Sequence, residues 1–328
     1  MFAKTRGILL PRLVRPRPGV HVLSTAQIKS RQHAAFLGSV TAAASVAAVA
    51  FVARSDKETA PIAAAEGPSF LYPFSANTAT CDGDRLERWN DRWAAGRVAW
   101  HREKPNEILV ENYQVFLGSH DAAARVLVPL CGKTVDMPFM AQRGHEVVGV
   151  DGVEAAAWQL QRDSWLNFET AQLEPSGAGD GKRPGFIAAP TFQKRRSGYV
   201  FKTDALGTGY YLDTKGIKVF RDLKKRISVV VADFLHLTPK DVGIFDRVWD
   251  RGALVALRPE DREDYVATCD SMLQPGGKIL LVTMVYDQSA KRGPPFSIPL
   301  EEVQRLYGRK LGYTVEILSS VDAKKVYQ

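Results

Sequence analysis

The sequence contains few cysteines, and none of them lies near another. Cys81, Cys131 and Cys269 are the three in 328 residues, and they fall outside any Cys-x-x-Cys spacing. A scattered, odd-numbered set does not build a disulfide framework or a structural zinc site. A His-Glu-x-x-His motif and a histidine cluster are also missing, so we expect no metal site. These features favour a reducing compartment.

Acidic residues are absent from the first 55 positions, which carry eight lysines and arginines. The rest of the chain has 36 basic and 36 acidic residues, so the net charge of +8 comes from this N-terminal segment. Binding to nucleic acid needs clustered cations on the folded domain, and we therefore expect no nucleic-acid partner. A basic, acid-free leader is typical of an organelle transit peptide. It predicts a mitochondrial or plastid location, with the cytoplasm as the alternative.

One long hydrophobic run follows the basic segment. Residues 36–53, "FLGSVTAAASVAAVAFVA", contain no charge over 18 positions, which is barely enough to span a bilayer. The run predicts part of a cleaved leader, a membrane tether, or a disordered or helical extension without a targeting role. Residues 54–80 contain three prolines amid small residues and read as a linker. We therefore divide the chain into residues 1–80, a targeting or membrane segment with a linker, and residues 81–328, a folded domain.

From about residue 85, apolar runs alternate with helical patterns. The runs "RVLVPL", "EVVGVD", "ISVVVADF", "FDRVWD" and "KILLVTMVY" are typical of buried parallel strands. Strands that alternate with helices predict an α/β fold with a doubly wound, Rossmann-like sheet flanked by helices. A stretch rich in glycine, proline and basic residues at about 172–200 interrupts this pattern, and we interpret it as a surface insertion.

A loop with a single glycine, "PLCGK", follows the first of these strands. Ligands of such sheets bind beyond the carboxyl ends of the strands, where the strand order reverses, and Gly132 would let the backbone approach one closely. Asp151 ends the next strand, where a carboxylate can accept both hydroxyls of a ribose. A dinucleotide also needs a glycine-rich turn for its pyrophosphate. The missing glycines favour S-adenosylmethionine and leave a dinucleotide oxidoreductase as the alternative.

Four segments are similar, in order, to successive signatures of one family: "RWNDRWAAGRVAWH", "VLVPLCGKTVDMPFMAQRGHEVVGVD", "FDRVWDRGALVAL" and "YDQSAKRGPPFSIPLEEVQRLYG". Together they resemble the thiopurine S-methyltransferase family over about 87–322, apart from the insertion. The resemblance implies a class I methyltransferase fold that methylates the sulfur of a small aromatic or heterocyclic thiol, in the manner of xenobiotic metabolism. The plant halide and thiol methyltransferases share some of these stretches. Halide, thiol, selenium or tellurium transfer is therefore an alternative.

The same resemblance implies roles for individual residues. The cofactor contacts it implies are Trp89, Trp93, Leu130, Gly132, Asp151, Ala232, Asp233 and Arg251. It implies that Trp100 faces the acceptor, and that Arg251 and Arg305 are catalytic arginines near the cofactor tail or the acceptor. We hypothesise that one of these arginines lowers the pKa of the acceptor thiol through its charge. Methyl transfer needs no nucleophilic residue of the protein, and we expect a monomer.

The C-terminal region departs from the family pattern. The family closes its sheet with an antiparallel hairpin after the segment "YTVEILSSVDA", whereas this chain stops at Gln328, before a final strand. We therefore expect an incomplete hairpin, whose neighbouring strands would carry unpaired backbone groups. A second hypothesis follows, in which the chain is a membrane-tethered, cofactor-binding protein of the same fold without turnover.

Overall fold

The computed structural model describes residues 47–55, 82–118, 123–173, 186–191, 193, 199–212 and 217–322. Most of the basic leader, the first part of the hydrophobic run and Cys81 lie outside the described residues. The strands are β1 (Ala47–Ser55), β2 (Arg125–Pro129), β3 (Glu146–Asp151), β4 (Glu169–Leu173), β5 (Phe186–Ala188), β6 (Tyr199–Asp204), β7 (Gly207–Leu212), β8 (Ile217–Asp222), β9 (Ile227–Val231), β10 (Phe245–Arg251), β11 (Leu273–Val285) and β12 (Tyr313–Asp322).

The helices connect these strands and cover both faces of the main sheet. They are α1 (Asp82–Ala94), α2 (Glu107–Glu111), α3 (Tyr113–Leu117), α4 (Asp136–Ala141), α5 (Glu154–Asp163), α6 (Pro239–Val242), α7 (Arg262–Met272) and α8 (Leu300–Val303). A π-helical segment, Gln304–Arg309, continues α8.

Nine strands of the described chain form one sheet in the order β12-β1-β11-β10-β2-β3-β9-β8-β4. Its central strands β11, β10, β2, β3 and β9 are parallel. Among these parallel strands the chain begins in the middle at β2, proceeds outward through β3 to β9, and then returns to the other side of β2 as β10 and β11. This is the predicted doubly wound sheet. The strand order reverses between β2 and β10, so the ends of these two strands flank the ligand crevice.

The apolar runs form strands because both faces of the sheet are covered. On one face, Leu127 and Val248 lie in a large core with Leu281, and all three are fully or almost fully buried. On the other face, Val126 and Trp249 lie in a second core. Side chains that alternate between two buried faces leave no polar position along a strand, which explains the continuous hydrophobicity.

The hydrophobic run is the largest correction to the sequence-based expectations. Its last seven residues are neither disordered nor helical, and they do not span a membrane as a tether. They belong to β1, which lies antiparallel between β11 and β12. Ala50, Phe51 and Val52 are fully buried, because strands flank both edges and side chains cover both faces. In the described part of the chain, no helix combines the length and hydrophobicity needed to cross a membrane.

The place of β1 also corrects two further expectations. The edges of β11 and β12 that were expected to lack a partner are paired, with eight residues of β11 and nine of β12 in register with β1. The folded domain already includes β1, from Ala47, and therefore begins before residue 81. The linker-like composition of 54–80 hid this boundary, because a domain boundary is normally drawn at such a segment.

The predicted insertion at 172–200 contributes β5 and the start of β6 to a small sheet that continues to Leu212, beyond the predicted bounds. Strands β5, β7 and β6 form a separate antiparallel sheet, whose small core includes Tyr199 and Tyr210. Tyr210 is almost fully buried, and its hydroxyl accepts a hydrogen bond from the backbone N–H of Gln193 at 3.0 Å. The insertion is therefore part of a small β-subdomain and not only a surface loop.

Candidate functional site

The loop after β2 forms the floor of a cavity at the reversal point of the sheet. Leu130 and Gly132 both have positive φ, 45° and 53°, a region that glycine adopts readily and other residues rarely. The backbone N–H of Gly132 donates to Oδ2 of Asp151 at 2.8 Å, and that of Val153 donates to Oδ1 at 2.9 Å. Leu130, Gly132 and Asp151 all line the cavity, as the sequence predicted them to lie together.

Burial controls the charge of Asp151. The residue is only 8% exposed, and desolvation raises its pKa to about 6, against the opposing effect of the two N–H donors. At neutral pH the group is a carboxylate. Each of its oxygens has a further lone pair beyond the one used by the backbone. Asp151 can therefore hold the loop and still accept two hydroxyl groups of a ligand.

The backbone of the loop offers no free donor for a phosphate. The N–H of Cys131 donates to the carbonyl of Val150 at 2.9 Å, and the N–H of Thr134 donates to the carbonyl of Cys131 at 3.3 Å. Gly132 donates to Asp151, and Lys133 donates to Nε2 of His101 at 3.0 Å. Nucleotide-binding loops hold phosphates through such N–H groups. This loop uses all four internally, so it does not fit the pyrophosphate of a dinucleotide.

His101 connects this loop to the segment that covers it. Its Nε2 accepts from Lys133, so the ring proton lies on Nδ1, which donates to the carbonyl of Val98 at 3.1 Å. Burial lowers the pKa of His101 to about 4, which keeps the ring neutral and preserves both bonds at physiological pH. The sequence alone assigned no role to this histidine. Its position directly after Trp100 in "VAWH" was the available signal.

Three tryptophans of the covering segment lie over the cavity. The ring centroid of Trp100 is 5.4 Å from that of Trp89 and 6.2 Å from that of Trp93, and both pairs are edge-to-face. Trp93 is buried against Val153 and Ala156 at the start of α5. All three predicted tryptophans line the cavity. They form an aromatic cover in the lining of the cavity that also contains Asp151.

Of the two predicted arginines, the structure brings only Arg251 to the cavity. Its Nη1 donates to the carbonyl of Trp100 at 2.8 Å, which places a guanidinium beneath the tryptophan cover. Arg305 lies elsewhere, with its side chain 41% exposed and paired to Glu302 at 2.8 Å and Glu263 at 2.5 Å. These carboxylates raise the pKa of Arg305 further. A charge held by two acids at the surface is poorly placed to act on an acceptor.

Ala232 and Asp233 follow β9 at the same sheet edge but do not line the cavity. The N–H of Ala232 donates to the carbonyl of Asp151 at 3.1 Å. Asp233 forms an ion pair with Arg85 and accepts from the N–H of Leu235 at 3.1 Å. The side chain of Asp233 thus holds α1 to the turn after β9. The sequence could not show this partnership, because the two residues are 148 positions apart.

The remaining wall of the cavity is apolar and was not predicted residue by residue. Val255, Met284, Pro294 and Pro295 line it. The "GPPF" segment is fixed there by the N–H of Phe296, which donates to the carbonyl of Val255 at 2.6 Å. Prolines and a methionine offer a flat, polarisable surface without hydrogen-bonding side chains. This wall suits an apolar ring or chain.

Substituting Gly132 should disturb the floor of the cavity. A Cβ atom there would lie 2.3 Å from Nε2 of His101, so the imidazole would have to move and release Lys133. We expect Gly132→Ala to weaken S-adenosylmethionine binding at least about tenfold, or ~1.4 kcal/mol, in a calorimetric titration. Gly144→Ala is the matched control, because Gly144 also has positive φ but no atom within 4 Å of the added Cβ. Equal affinities of the two variants would contradict the assigned geometry.

The fold and the site together define the class of the protein. A buried carboxylate at the end of β3 with lone pairs left for two hydroxyl groups, a loop without phosphate donors and an aromatic cover fit the sugar and the charged sulfonium of S-adenosylmethionine. The chain is thus a class I S-adenosylmethionine-dependent methyltransferase. The family model described as thiopurine S-methyltransferase matches residues 84–176 and 209–327, and the chain belongs to this family.

Individual relatives agree with this assignment. Thiopurine S-methyltransferase of Rattus norvegicus is 31% identical over 238 residues, which are 73% of this chain and 82% of the relative. The protein of the same name from Oryctolagus cuniculus is 30% identical over 238 residues, 73% and 80% of the two chains. Among solved structures, a Burkholderia thailandensis 1,6-didemethyltoxoflavin-N1-methyltransferase covers 76% of this chain and 92% of its own at 16% identity. Its TM-score is 0.38, a likeness too weak to add to the family match.

Membership of the family confirms the predicted fold class, cofactor and type of enzyme. The chain is an S-adenosylmethionine-dependent S-methyltransferase. The dinucleotide alternative is excluded on two grounds, the family and the fully used N–H groups of the loop. In the described part of the chain, no group of three or more His, Cys, Asp or Glu side chains is arranged to hold a metal ion.

Proposed function

We propose that this enzyme transfers the methyl group of S-adenosylmethionine to the sulfur of a small aromatic or heterocyclic thiol. The observation that carries the proposal is the composition of the cavity above Asp151, where Trp100 and the "GPPF" wall enclose an apolar space that contains the guanidinium of Arg251. A flat, apolar acceptor fits such a space, and the two cations that line it, Arg92 and Arg251, favour an anionic nucleophile. Foreign thiols are acceptors of this kind, and a role in xenobiotic metabolism is part of the proposal.

The cofactor, when bound, supplies a methyl group already activated by a positive sulfonium. The residues of the chain bind the cofactor, orient the reacting groups and keep water away from them. Asp151 accepts the ribose hydroxyls and fixes the depth of the cofactor, while the tryptophan cover keeps water from the reacting sulfur. Alignment and desolvation of this kind can contribute several kcal/mol to a displacement. Every residue that this account uses comes from one chain, so we propose that the monomer is the active form.

The bond changes are those of an in-line displacement. A lone pair of the acceptor thiolate forms the new sulfur–carbon bond, and the electron pair of the old sulfur–carbon bond stays with the departing sulfur. The products are a methyl thioether and S-adenosylhomocysteine, and the thiol proton goes to solvent before transfer. The described chain needs no nucleophile for this step. Cys131 is not suited to act as a nucleophile, because burial raises the pKa of its thiol well above the usual value.

Acceptor preference tests the proposal. The full chain would be incubated with methyl-labelled S-adenosylmethionine and matched acceptors that differ in one atom, namely thiophenol, phenol and aniline. We expect labelled thioanisole and no labelled ether or amine, because the arginines of the cavity favour a thiolate, while its two bases are engaged, His101 with Val98 and Lys133 and Asp151 with the loop and the ribose. A preference for phenol or aniline would refute thiol specificity. Binding of the donor without transfer to any thiol, halide or selenide would favour a protein without turnover.

Arg251 is expected to lower the pKa of the acceptor thiol. In Arg251→Met the loss of the charge should move the acidic limb of the rate–pH profile upward by about one pH unit for an aliphatic thiol, in line with the effect of a neighbouring opposite charge. Arg305→Met serves as the matched control, because its guanidinium is paired at the surface outside the cavity. Unchanged acidic limbs in both variants would show that neither arginine lowers the pKa of the thiol. A shift in Arg305→Met alone would assign this role to Arg305 instead.

We further propose that the segment before β1 directs the protein to a mitochondrion or plastid. The support is its composition, with basic residues, serine and alanine and no acid. A fluorescent protein fused after residue 44 should accumulate in the organelle, and a variant with the seven basic residues of that leader changed to glutamine should remain in the cytoplasm. A cytoplasmic signal from both fusions would contradict the proposal.

A further inference from the structure

The strand β1 lies directly behind part of the wall of the active site. Its partner β11 carries Val282 and Met284, both of which line the cavity. In the ladder between the two strands, Ala50 lies opposite Val282, and Ala48 lies opposite Met284. The register of β1 therefore supports the part of β11 that faces the ligand.

The burial of β1 shows that the sheet cannot lose it without exposing its core. Phe51 and Ala53 pack into the core on one face, and Ala50 packs into the core on the other. Both edges of the strand are paired over nearly its whole length. Its removal would leave two long strands with unpaired N–H and C=O groups and an empty slot between them, an arrangement that natural proteins avoid.

The family match gives no place to this strand. It begins at residue 84, so β1 comes from a segment outside the region shared with the relatives. By composition alone, the same residues read as the end of a leader. We infer that Ala47–Ser55 is retained in the mature enzyme as an integral strand of the catalytic sheet, and that any leader removed from this chain ends before Ala47.

The hydrophobic run thus contains two parts, the end of a leader and a strand of the enzyme. Residues up to 46 are free to act as a leader, whereas residues from 47 onward belong to the enzyme. Cleavage after Ser55 would inactivate the protein rather than mature it. The inference concerns the sheet alone, and it stands whether or not the leader targets an organelle.

Two deletions test the inference. Deletion of residues 1–44 should leave the unfolding midpoint unchanged. The affinity for S-adenosylhomocysteine should stay within about twofold of that of the full chain. Deletion of residues 1–55 should abolish cooperative unfolding and binding, and a synthetic peptide of residues 45–58 should restore binding. The inference would be overturned if the two deletions bound S-adenosylhomocysteine equally and unfolded at the same midpoint. It would be overturned equally by an active protein isolated from its natural cells whose N-terminus lies beyond Ser55.

A cross-link tests the pairing in the full chain without destabilising it. Arg54 and Thr314 are register partners with exposed side chains, and paired residues of antiparallel strands lie within reach of a disulfide. Arg54→Cys with Thr314→Cys, in a Cys81→Ser background, should form a disulfide under mild oxidation. The control pair Arg54→Cys with Ser320→Cys should not, since Ser320 pairs with Val49, about 17 Å along the strand. Equal yields from the two pairs would contradict the register.

Discussion

Asp151→Asn is expected to weaken binding of S-adenosylmethionine about 100-fold, equivalent to ~2.7 kcal/mol. The carboxylate accepts backbone N–H groups with both oxygens, and an amide would point an NH₂ group at one of these donors. The variant therefore loses a charged acceptor for the ribose and also displaces the loop that carries Gly132. Bonds to a charged acceptor are worth about 1.5–3 kcal/mol each. The measurement is a calorimetric titration at pH 7.5.

Asp91→Asn provides the matched control, since Asp91 is exposed on α1 and does not line the cavity. It should bind the cofactor as the unaltered protein does. An Asp151→Asn protein that is folded and binds with unchanged affinity would show that the carboxylate does not hold the sugar.

The same carboxylate predicts the pH dependence of binding. Burial raises the pKa of Asp151 to about 6, so the free protein is increasingly protonated below that pH and loses an acceptor. Affinity should be constant above about pH 7 and fall towards tenfold per pH unit below 6. His101, with its pKa lowered to about 4, stays neutral across this range. In Asp151→Asn the dependence should disappear, and a slope that survives the substitution would assign it to another group.

Phe51→Ala is expected to lower the free energy of unfolding by about 3–5 kcal/mol, the usual range for removing a buried phenylalanine. Phe51 is fully buried in the large core on one face of the sheet. Domains are stable by only about 5–15 kcal/mol, so the loss is a large fraction of the total. Had the run belonged to a leader or to a tether outside the folded unit, the same substitution would leave stability unchanged. Equilibrium unfolding in urea gives the difference directly.

Arg54→Ala is the control from the same strand. Its guanidinium is about half exposed and lies 3.7 Å from Glu316, and pairs of this kind contribute at most about 1 kcal/mol. A Phe51→Ala protein that unfolds at the urea concentration of Arg54→Ala would place β1 outside the cooperative unit.

The central sheet could be predicted because its strands are buried on both faces and are bounded by turns. The same property concealed β1. A charge-free run of alanine and valine is compatible with a leader, with a lipid-facing helix and with a strand buried on both faces. Hydrophobic periodicity does not distinguish these three structures. The run becomes a strand because β11 and β12 leave a position between them that β1 fills. This position depends on residues more than 200 places further along the chain.

The site residues also fall into those that the sequence could predict and those that it could not. Asp151 and Gly132 follow from the rule that ligands bind where parallel strands end, and the three tryptophans follow from the family signature. Arg305 and Asp233 share sequence context with family positions, but their partners here, Glu263 and Arg85, are distant in sequence. The pairing of Asp233 with Arg85 is a tertiary contact that no local pattern could show, whereas Arg305 also pairs with Glu302 three residues earlier, a partner that the sequence did contain.

Single-turnover transfer tests the central claim most directly. The full chain, in excess over methyl-labelled S-adenosylmethionine, would be mixed with thiophenol and quenched at intervals. We predict that labelled thioanisole and S-adenosylhomocysteine appear together in a one-to-one ratio, and that Asp151→Asn slows both equally at subsaturating protein. Tight binding of the donor with no labelled thioether at any time would contradict the account.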